Sequence, residues 1–407
     1  MPPRPLVLVV SPGNQALRGY CLKQVAAAYD VVLLTGTEPT WEVPHIVDHA
    51  VADLHDAATL LAAGRALAAR HDIAGVVTWD EQHLERTAHL ARDLGLPAAS
   101  AAAMRACRNK TVARDLFARH GVPSAASMTA TTLLEAGLAT MTLGYPAVIK
   151  PASYFGSIGV VRVDRPEELP GAFEFAMAGA RRSRADTSVL VEEFLDGPEV
   201  SVECVTHRGV TVAVAVTRKQ LGPYFSEVGH TVDATDPLLA EVAPVAAAAI
   251  KALGITDGVQ HVEMRLVDGR PRLIEVNGRI GGDMIGRLVH LATGIDLPRA
   301  AADLACGTAP DLTPTRREAA GIRMLYPPAS GTLTQRQINE QFADGTPWLR
   351  QVQWTSQIGD RLVLPPEGTL FTARAGFYLV TGRDTAEVEE RLDSAADEIT
   401  VTVRAQR

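Results

Sequence analysis

Residues 260–277 read Gln260-His261-Val262-Glu263-Met264-Arg265-Leu266-Val267-Asp268-Gly269-Arg270-Pro271-Arg272-Leu273-Ile274-Glu275-Val276-Asn277. Two alternating runs flank Asp268-Gly269, a strong short-range signal for a hairpin. With the turn centred on Gly269, Glu263 lies six residues before it and Glu275 six after, so the two carboxylates face each other across the ladder. Period-two alternation adds His261 and Asn277 to that face and sends Val262, Met264, Ile274 and Val276 to the core. Directly opposed carboxylates repel unless a cation sits between them. Two carboxylates and an amide oxygen form a hard oxygen-donor set that suits Mg²⁺ carrying substrate phosphates. Taken alone, the same segment reads equally well as a solvated hairpin face.

Upstream, Gly144-Tyr145-Pro146-Ala147-Val148-Ile149-Lys150-Pro151 is a strand ending in a lysine, and the small-residue loop Ser153-Tyr154-Phe155-Gly156-Ser157-Ile158-Gly159 follows. Backbone N–H groups of such a loop can cradle phosphate oxygens while Lys150 adds a point charge, although the spacing is not that of a Walker A loop. Lysine stands only at Lys23, Lys110, Lys150, Lys219 and Lys251, and arginine supplies the other 34 of the 39 cations. A retained lysine therefore marks a place where a compact ammonium serves better than a planar fork. The apolar strand Val189 to Leu195, ending at Asp196-Gly197-Pro198-Glu199, offers backbone that can pair with a base edge.

Toward the N-terminus the pattern alternates strand and helix: Leu6 to Val10, a helix near Leu22 to Tyr29, Val31 to Thr35, a helix Ala57 to Arg70, and Ile73 to Thr78. That rhythm predicts a small parallel, doubly wound sheet, which places ligands at the carboxyl ends of its strands. Ser11-Pro12-Gly13-Asn14 and Thr78-Trp79-Asp80-Glu81 sit at those ends. A helix capped by Asn109 runs to Gly121, after which short strands broken by Gly and Pro predict a largely antiparallel region. The stretch from about 311 ends in a helix near Ala386 to Ala396 and a strand Ile399 to Val403. It reads as a small accessory α+β unit.

The chain has 407 residues, enough for two or three domains at about 150 residues each. Hydrophobic residues are 47% and charged residues 21%, the composition of an ordinary globular protein. A net charge of −8 without a basic stripe argues against nucleic acid or an anionic membrane as the main partner. No apolar run reaches the length of a membrane span. The four cysteines, Cys21, Cys107, Cys204 and Cys306, are scattered, which predicts a reducing, cytoplasmic setting.

The order of these motifs over roughly residues 75 to 310 resembles the ATP-grasp superfamily of carboxylate-amine ligases, in its L-amino-acid (dipeptide) ligase branch. The resemblance implies ATP and Mg²⁺, two ions with Mn²⁺ able to substitute. It implies phosphate contacts from Lys110, Lys150 and a mobile loop containing Ser153, Gly156, Ser157 and Gly159. Glu192, Glu193, Phe194 and Leu195 match the adenine hinge, and Glu199 matches the carboxylate on the ribose hydroxyls. Glu263, Glu275 and Asn277 match the metal triad, which the hairpin had reached independently. Arg279 matches the arginine facing the transferring phosphoryl group and the activated carboxyl, and Lys219 falls among the γ-phosphate contacts. Glu227 and His230 fall among the substrate contacts, and Gly282 and Asp283 at the acceptor pocket. From position alone, either Glu227 or His230 is expected to accept the amine's proton and Glu81 to orient the ammonium. Asp283 stands where some dipeptide ligases have a bulky aromatic, which predicts a roomier pocket or one favouring a cationic group.

The expected architecture is an ATP-grasp fold with an N-terminal Rossmann-like α/β domain (1–105), small and lid subdomains (106–200), a large subdomain with the metal site (201–310) and a C-terminal α+β unit (311–407). The expected partners are a small carboxylate and an amine, both amino acids, and a homodimer is common in the family. Competing readings are a biotin-carboxylase-like or purine-pathway enzyme and a non-catalytic nucleotide-binding module. An NAD-dependent oxidoreductase fails on the absent glycine fingerprint.

Overall fold

A computed structural model describes residues 4–183 and 186–405. The N-terminal strands Leu6–Val10, Asp30–Thr35, Asp48–Val51 and Ile73–Val77 form a parallel sheet in which Leu6–Val10 is flanked by Asp30–Thr35 and Ile73–Val77. Both faces of Leu6–Val10 are covered: Val7 and Val9 join one core cluster, Leu8 and Val10 another. The sheet is doubly wound, as the alternating pattern predicts. Two local readings are corrected. The first helix is Gln15–Ala26, not Leu22 to Tyr29, because the Asn14 side chain caps it by accepting from the N–H of Ala16. Strand Asp48–Val51 went unread, being short and largely polar at the sheet edge.

An antiparallel sheet of eight strands dominates the rest of the molecule. In spatial order its strands are Arg270–Asn277, Gly258–Val267, Glu199–His207, Val210–Leu221, Glu227–Asp233, Ala319–Leu325, Gly376–Gly382 and Leu349–Trp354. Val200, Val202, Cys204, Val262, Met264 and Val276 bury one face against helix Leu239–Ala252. The opposite face carries Ser201, Glu203, Thr217 and His261, polar side chains that are nonetheless buried. A smaller antiparallel sheet, in the order Ser127–Ala130, Val189–Glu193, Ala147–Pro151, Val161–Val163, stands apart with its own core of alanine, valine and Phe173. A third sheet holds Arg361–Leu362, Gly331–Ile338 and Ile399–Arg404. The last hundred residues thus supply three strands to the central sheet as well as this separate one.

Among the described residues, no helix is long and apolar enough to cross a membrane.

Candidate active site

A cleft of about 410 Å³ opens between the parallel sheet, the eight-stranded sheet and the smaller antiparallel sheet. Gly13, Asn14, Trp79, Asp80 and Glu81 reach it from the carboxyl ends of the parallel strands. The Trp79 indole donates to the Pro12 carbonyl at 2.8 Å and the Ser11 hydroxyl to Asp80 at 2.7 Å, which fixes the two strand ends to each other.

The hairpin supplies the cleft's acidic wall, by a route other than the one its spacing suggested. Asp268 and Gly269 form a two-residue turn, with φ of 49° and 76°, that sets Val267 opposite Arg270. A regular ladder from that turn would oppose Glu263 with Ile274. A bulge between the Met264/Leu273 and Glu263/Glu275 pairs inserts one residue and restores Glu263 opposite Glu275 and His261 opposite Asn277. The core assignment of Ile274 is therefore corrected: Leu273 is fully buried in the core, and Ile274 lines the cleft.

Lysine and imidazolium groups neutralise this wall. The Lys219 ammonium lies 2.7 Å from Glu263, 2.9 Å from Glu227 and 3.6 Å from Glu199. Burial lowers its pKa, but the three carboxylates outweigh burial and hold the ammonium well above its usual range. His261 Nδ1 donates to buried Glu203 at 2.9 Å and Nε2 to Glu263 at 3.0 Å. Against the effect of burial, Glu203 raises His261 to about 9, consistent with a ring that donates from both nitrogens. Glu203 in turn accepts from the Ser201 and Thr217 hydroxyls. Burial raises the Glu263 carboxyl, yet Lys219 and His261 prevail and keep it well below the usual carboxylate range. Glu199 is pushed up by burial and by neighbouring Glu263, despite Lys219 and an Arg265 contact at 3.2 Å.

Lys150 and Lys110 both reach the cleft. Lys150 is buried and 2.6 Å from Glu192, which also accepts from Arg114 at 2.8 Å. Burial lowers the Lys150 pKa despite that partner. Arg114 donates as well to the Ile274 carbonyl at 2.7 Å, joining the smaller sheet to the bulge. Lys110 donates to the Tyr154 carbonyl at 2.7 Å and lies 3.1 Å from Glu275, so it ties the 153–159 loop to the hairpin. Glu193 faces Arg272, the Arg162 guanidinium lies over the Phe194 ring at 4.2 Å, and the Leu195 carbonyl accepts from Arg265 at 3.0 Å.

In the loop, Gly156 and Ser157 line the cleft, whereas Ser153 and Gly159 do not. Ser153 is turned to the Arg108 carbonyl at 3.1 Å. Gly159, with φ of 78°, packs so closely that a Cβ there would lie 2.9 Å from Pro151 Cγ. On its outer side the loop meets the C-terminal stretch, with Phe155 edge-on to Phe371 at 6.4 Å.

At the other end of the cleft, the Arg279 guanidinium donates to Glu81 at 2.7 Å and to Asn277 Oδ1 at 3.3 Å. Gly282 and Asp283 line the wall beside it. Asp283 is bound through both oxygens to Arg374, at 2.7 and 2.8 Å. The cation this position was expected to favour thus comes from the chain itself. Arg374 further donates to the Tyr326 hydroxyl at 2.9 Å and to the Glu227 carbonyl at 3.1 Å. The direct substrate contact expected of His230 is also corrected: its ring is fully buried beneath the cleft surface, 3.6 Å from Asp283. Glu227 does line the cleft.

Residues 143–287 match the family model described as an ATP-grasp domain. The chain carries an ATP-grasp domain. Residues 323–404 match the model described as L-amino acid ligase C-terminal domain 2. The ATP-grasp fold extends over the whole chain: the crystal structure of L-amino acid ligase from Bacillus licheniformis superposes with a TM-score of 0.84 over 100% of both chains, at 24% identity. Phosphoribosylglycinamide synthetase from Anaerococcus prevotii follows the same fold with a TM-score of 0.74, at 18% identity, over 98% of this chain and 100% of that one. In sequence, an uncharacterized protein of Sinorhizobium fredii is 30% identical over 64% of this chain and 55% of its own length. Human carnosine synthase 1 is 33% identical over 60% of this chain and 32% of its own length. Alanine–anticapsin ligase of Bacillus subtilis is 27% identical over 57% of this chain and 53% of its own length. The chain spans about half or less of the length of these three relatives.

The ATP-grasp cleft brings together Glu263, Glu275 and Asn277, oxygen donors on one hairpin face, as a site for a hard divalent ion requires. The cations that hold these groups, Lys219, Lys110 and Arg279, are also those available to phosphate oxygens. Several contributors escaped the sequence reading. Arg114, Arg265 and Arg374 hid among 34 arginines. Glu203 did leave a signal, a carboxylate between Val202 and Cys204 in the middle of strand Glu199–His207.

Proposed function

We propose that the protein is an ATP-dependent carboxylate-amine ligase that joins two amino acids through an acyl phosphate, releasing ADP and phosphate. The observation that carries this reading is the placement, in one cleft, of the Glu263–Glu275–Asn277 wall with Lys150 at one end and the Arg279–Glu81 pair at the other. The likeness of residues 323–404 to an L-amino acid ligase domain supports it.

Glu263, Glu275 and Asn277 would hold Mg²⁺, which supplies charge neutralisation on the transferring phosphoryl group. Lys110 and Lys150 bind nucleotide phosphates, and Glu192, by neutralising Lys150 and Arg114 together, holds that lysine in place. Glu193, Phe194 and Leu195 edge the base site, and Glu199 faces the ribose. The donor carboxylate attacks the γ-phosphorus, forming a carbon–oxygen–phosphorus linkage as the bond to ADP breaks. Lys219 and Arg279 stabilise the developing negative charge. An amine then attacks the acyl carbon and phosphate leaves. Glu81 orients the entering ammonium and Glu227 accepts its proton, while buried His230 acts only through Asp283 and Glu227. Gly156 and Ser157, in a loop fastened by Lys110 and Phe371, keep water from the acyl phosphate. The four free cysteines accord with a reducing, cytoplasmic setting.

The test is phosphate release from Mg-ATP with amino acids supplied singly and in pairs, with products weighed by mass spectrometry. Release that requires a pair, with a product lighter than the sum by one water, is the expected result. Release driven by bicarbonate without an amine, or no release from any pair, would overturn it.

A further inference from the structure

Behind the Arg279–Glu81 end of the cleft lies a second cavity of about 480 Å³. It shares Glu81, Gln82, Tyr154, Phe155 and Glu275 with the cleft, so the two spaces meet across those side chains. Its other wall carries three arginines from three separate elements. Arg86 stands on helix Leu84–Asp93, Arg108 is the last residue of helix Ala101–Arg108, and Arg182 follows helix Leu169–Ala180. The Arg108 backbone is anchored where its carbonyl receives the Ser153 hydroxyl, at the base of the loop.

The charge balance of this annex is one-sided. Each carboxylate lining it already has a cation from elsewhere: Glu81 has Arg279, Glu275 has Lys110, and Glu85 has Arg105 at 2.5 Å. Among the described residues, no ion pair joins Arg86, Arg108 or Arg182 to any carboxylate, and the Arg86 contact is the Gln82 carbonyl at 3.2 Å. His89 Nδ1 accepts from Arg92 at 2.9 Å and its Nε2 lies 3.9 Å from Glu85. Asp56, beside the cavity, feels Arg86 without pairing with it; three guanidinium groups without a direct acidic partner among the described residues, in a chain of net charge −8, form a local field for an anion of planar, two-oxygen geometry.

We infer that this annex binds a carboxylate of the amine substrate, and that the acceptor is an amino acid carrying an acidic extension. The inference rests on the ligase reading for the word acceptor but on the arginines for the carboxylate. An amine held at Glu81, with its chain running away from Arg279, would carry its carboxylate past Gln82 to Arg86 and Arg108. The α-carboxylate and a side-chain carboxylate share this chemistry, and the probes below separate them.

The full chain with Mg-ATP is assayed with L-glutamate as amine, beside glutamine, isoglutamine and the diamide of glutamate. Arg86→Gln, Arg108→Gln and Arg182→Gln replace partly exposed or exposed groups that make no direct ion pair among the described residues. Arg86→Gln and Arg108→Gln should each raise the KM for glutamate about tenfold. Turnover number and the KM for Mg-ATP should stay within about twofold, with the diamide unaffected. Dependence on the arginines that survives in isoglutamine supports the side-chain carboxylate, and dependence that survives only in glutamine assigns the α-carboxylate and overturns the acidic extension. Calorimetric titration of L-glutamate into the protein with Mg-ADP reads the annex without turnover. Saturable binding weakened about tenfold by Arg108→Gln supports the annex even if no pair of amino acids releases phosphate, a result that would remove the ligase reading alone. Absence of saturable glutamate binding, or wild-type affinity and KM in the arginine variants, overturns the annex whether or not the protein is a ligase.

Discussion

At the scale of single residues, the cleft separates groups that hold the fold from groups that hold a ligand. Glu275 is partly exposed and its carboxylate touches Lys110 across the cleft, not the core. Glu275→Gln should therefore lower turnover by about a hundredfold or more while leaving thermal stability near that of the wild type. Rapid-quench measurement of a single ATP turnover, beside a melting curve, checks both halves. Lys150 is different, because it shares the buried Glu192 with Arg114. Lys150→Met should weaken ATP binding about tenfold or more, read by titration with a fluorescent nucleotide. It should nevertheless destabilise the protein less than Arg114→Met, which would strip Glu192 of one partner and leave the Ile274 carbonyl without its donor. Equal loss of stability in the two variants would refute that ordering. Scarcity made Lys110, Lys150 and Lys219 conspicuous in the sequence. Arg114 carries as much of the local charge balance and was invisible, because arginine serves everywhere else in this chain.

At the scale of elements, the hairpin shows what alternation can and cannot specify. Period two correctly placed His261, Glu263, Glu275 and Asn277 on one face and Val262, Met264 and Val276 on the other. It could not reveal the bulge, since a bulge preserves composition and changes only the count of residues between two pairs. The consequence is measurable. Leu273→Ala removes a fully buried side chain and should cost about 2–5 kcal/mol in denaturant unfolding. Ile274→Ala should cost less and show itself instead as weaker nucleotide binding, because Ile274 faces the cleft. The reverse ranking would mean that the ladder runs in register without the bulge. Caps were readable at Asn109, where the side chain accepts from the N–H of Val112. Asn14 caps its helix likewise, accepting from the N–H of Ala16, although Ser11-Pro12-Gly13-Asn14 reads in sequence only as the end of a strand.

At the scale of the whole molecule, the C-terminal stretch completes the cleft rather than decorating it. Its strands Ala319–Leu325 and Gly376–Gly382 continue the central sheet, and Arg374, two residues before the second of these, spans from Tyr326 to Glu227 and Asp283. Sequence patterning marked this stretch as strands and a helix but had no means of showing which sheet the strands would join, since pairing between residues so distant leaves no local periodicity. Asp283 and Met284 occupy left-handed conformations at φ of 45° and 63°, a strained pair held by the Arg374 fork. Burial alone would raise the Asp283 carboxyl, but Arg374 prevails and holds it well below its ordinary value of 3.8. A carboxyl depressed in the folded state stabilises the protein at pH above the unfolded value and loses that contribution as pH falls through the folded one. Asp283→Asn, which leaves the buried Arg374 without its counter-charge, should cost about 3–5 kcal/mol at pH 7. That difference from the wild type should persist down to about pH 4 and shrink below it, because the carboxyl of the unfolded wild-type chain then takes up a proton that the folded, Arg374-bound one does not, until at still lower pH both are as neutral as asparagine. Melting curves of the two proteins across that range give the answer. A difference that stayed constant with pH would show that shape at residue 283, and not the ion pair to the C-terminal stretch, holds this end of the cleft.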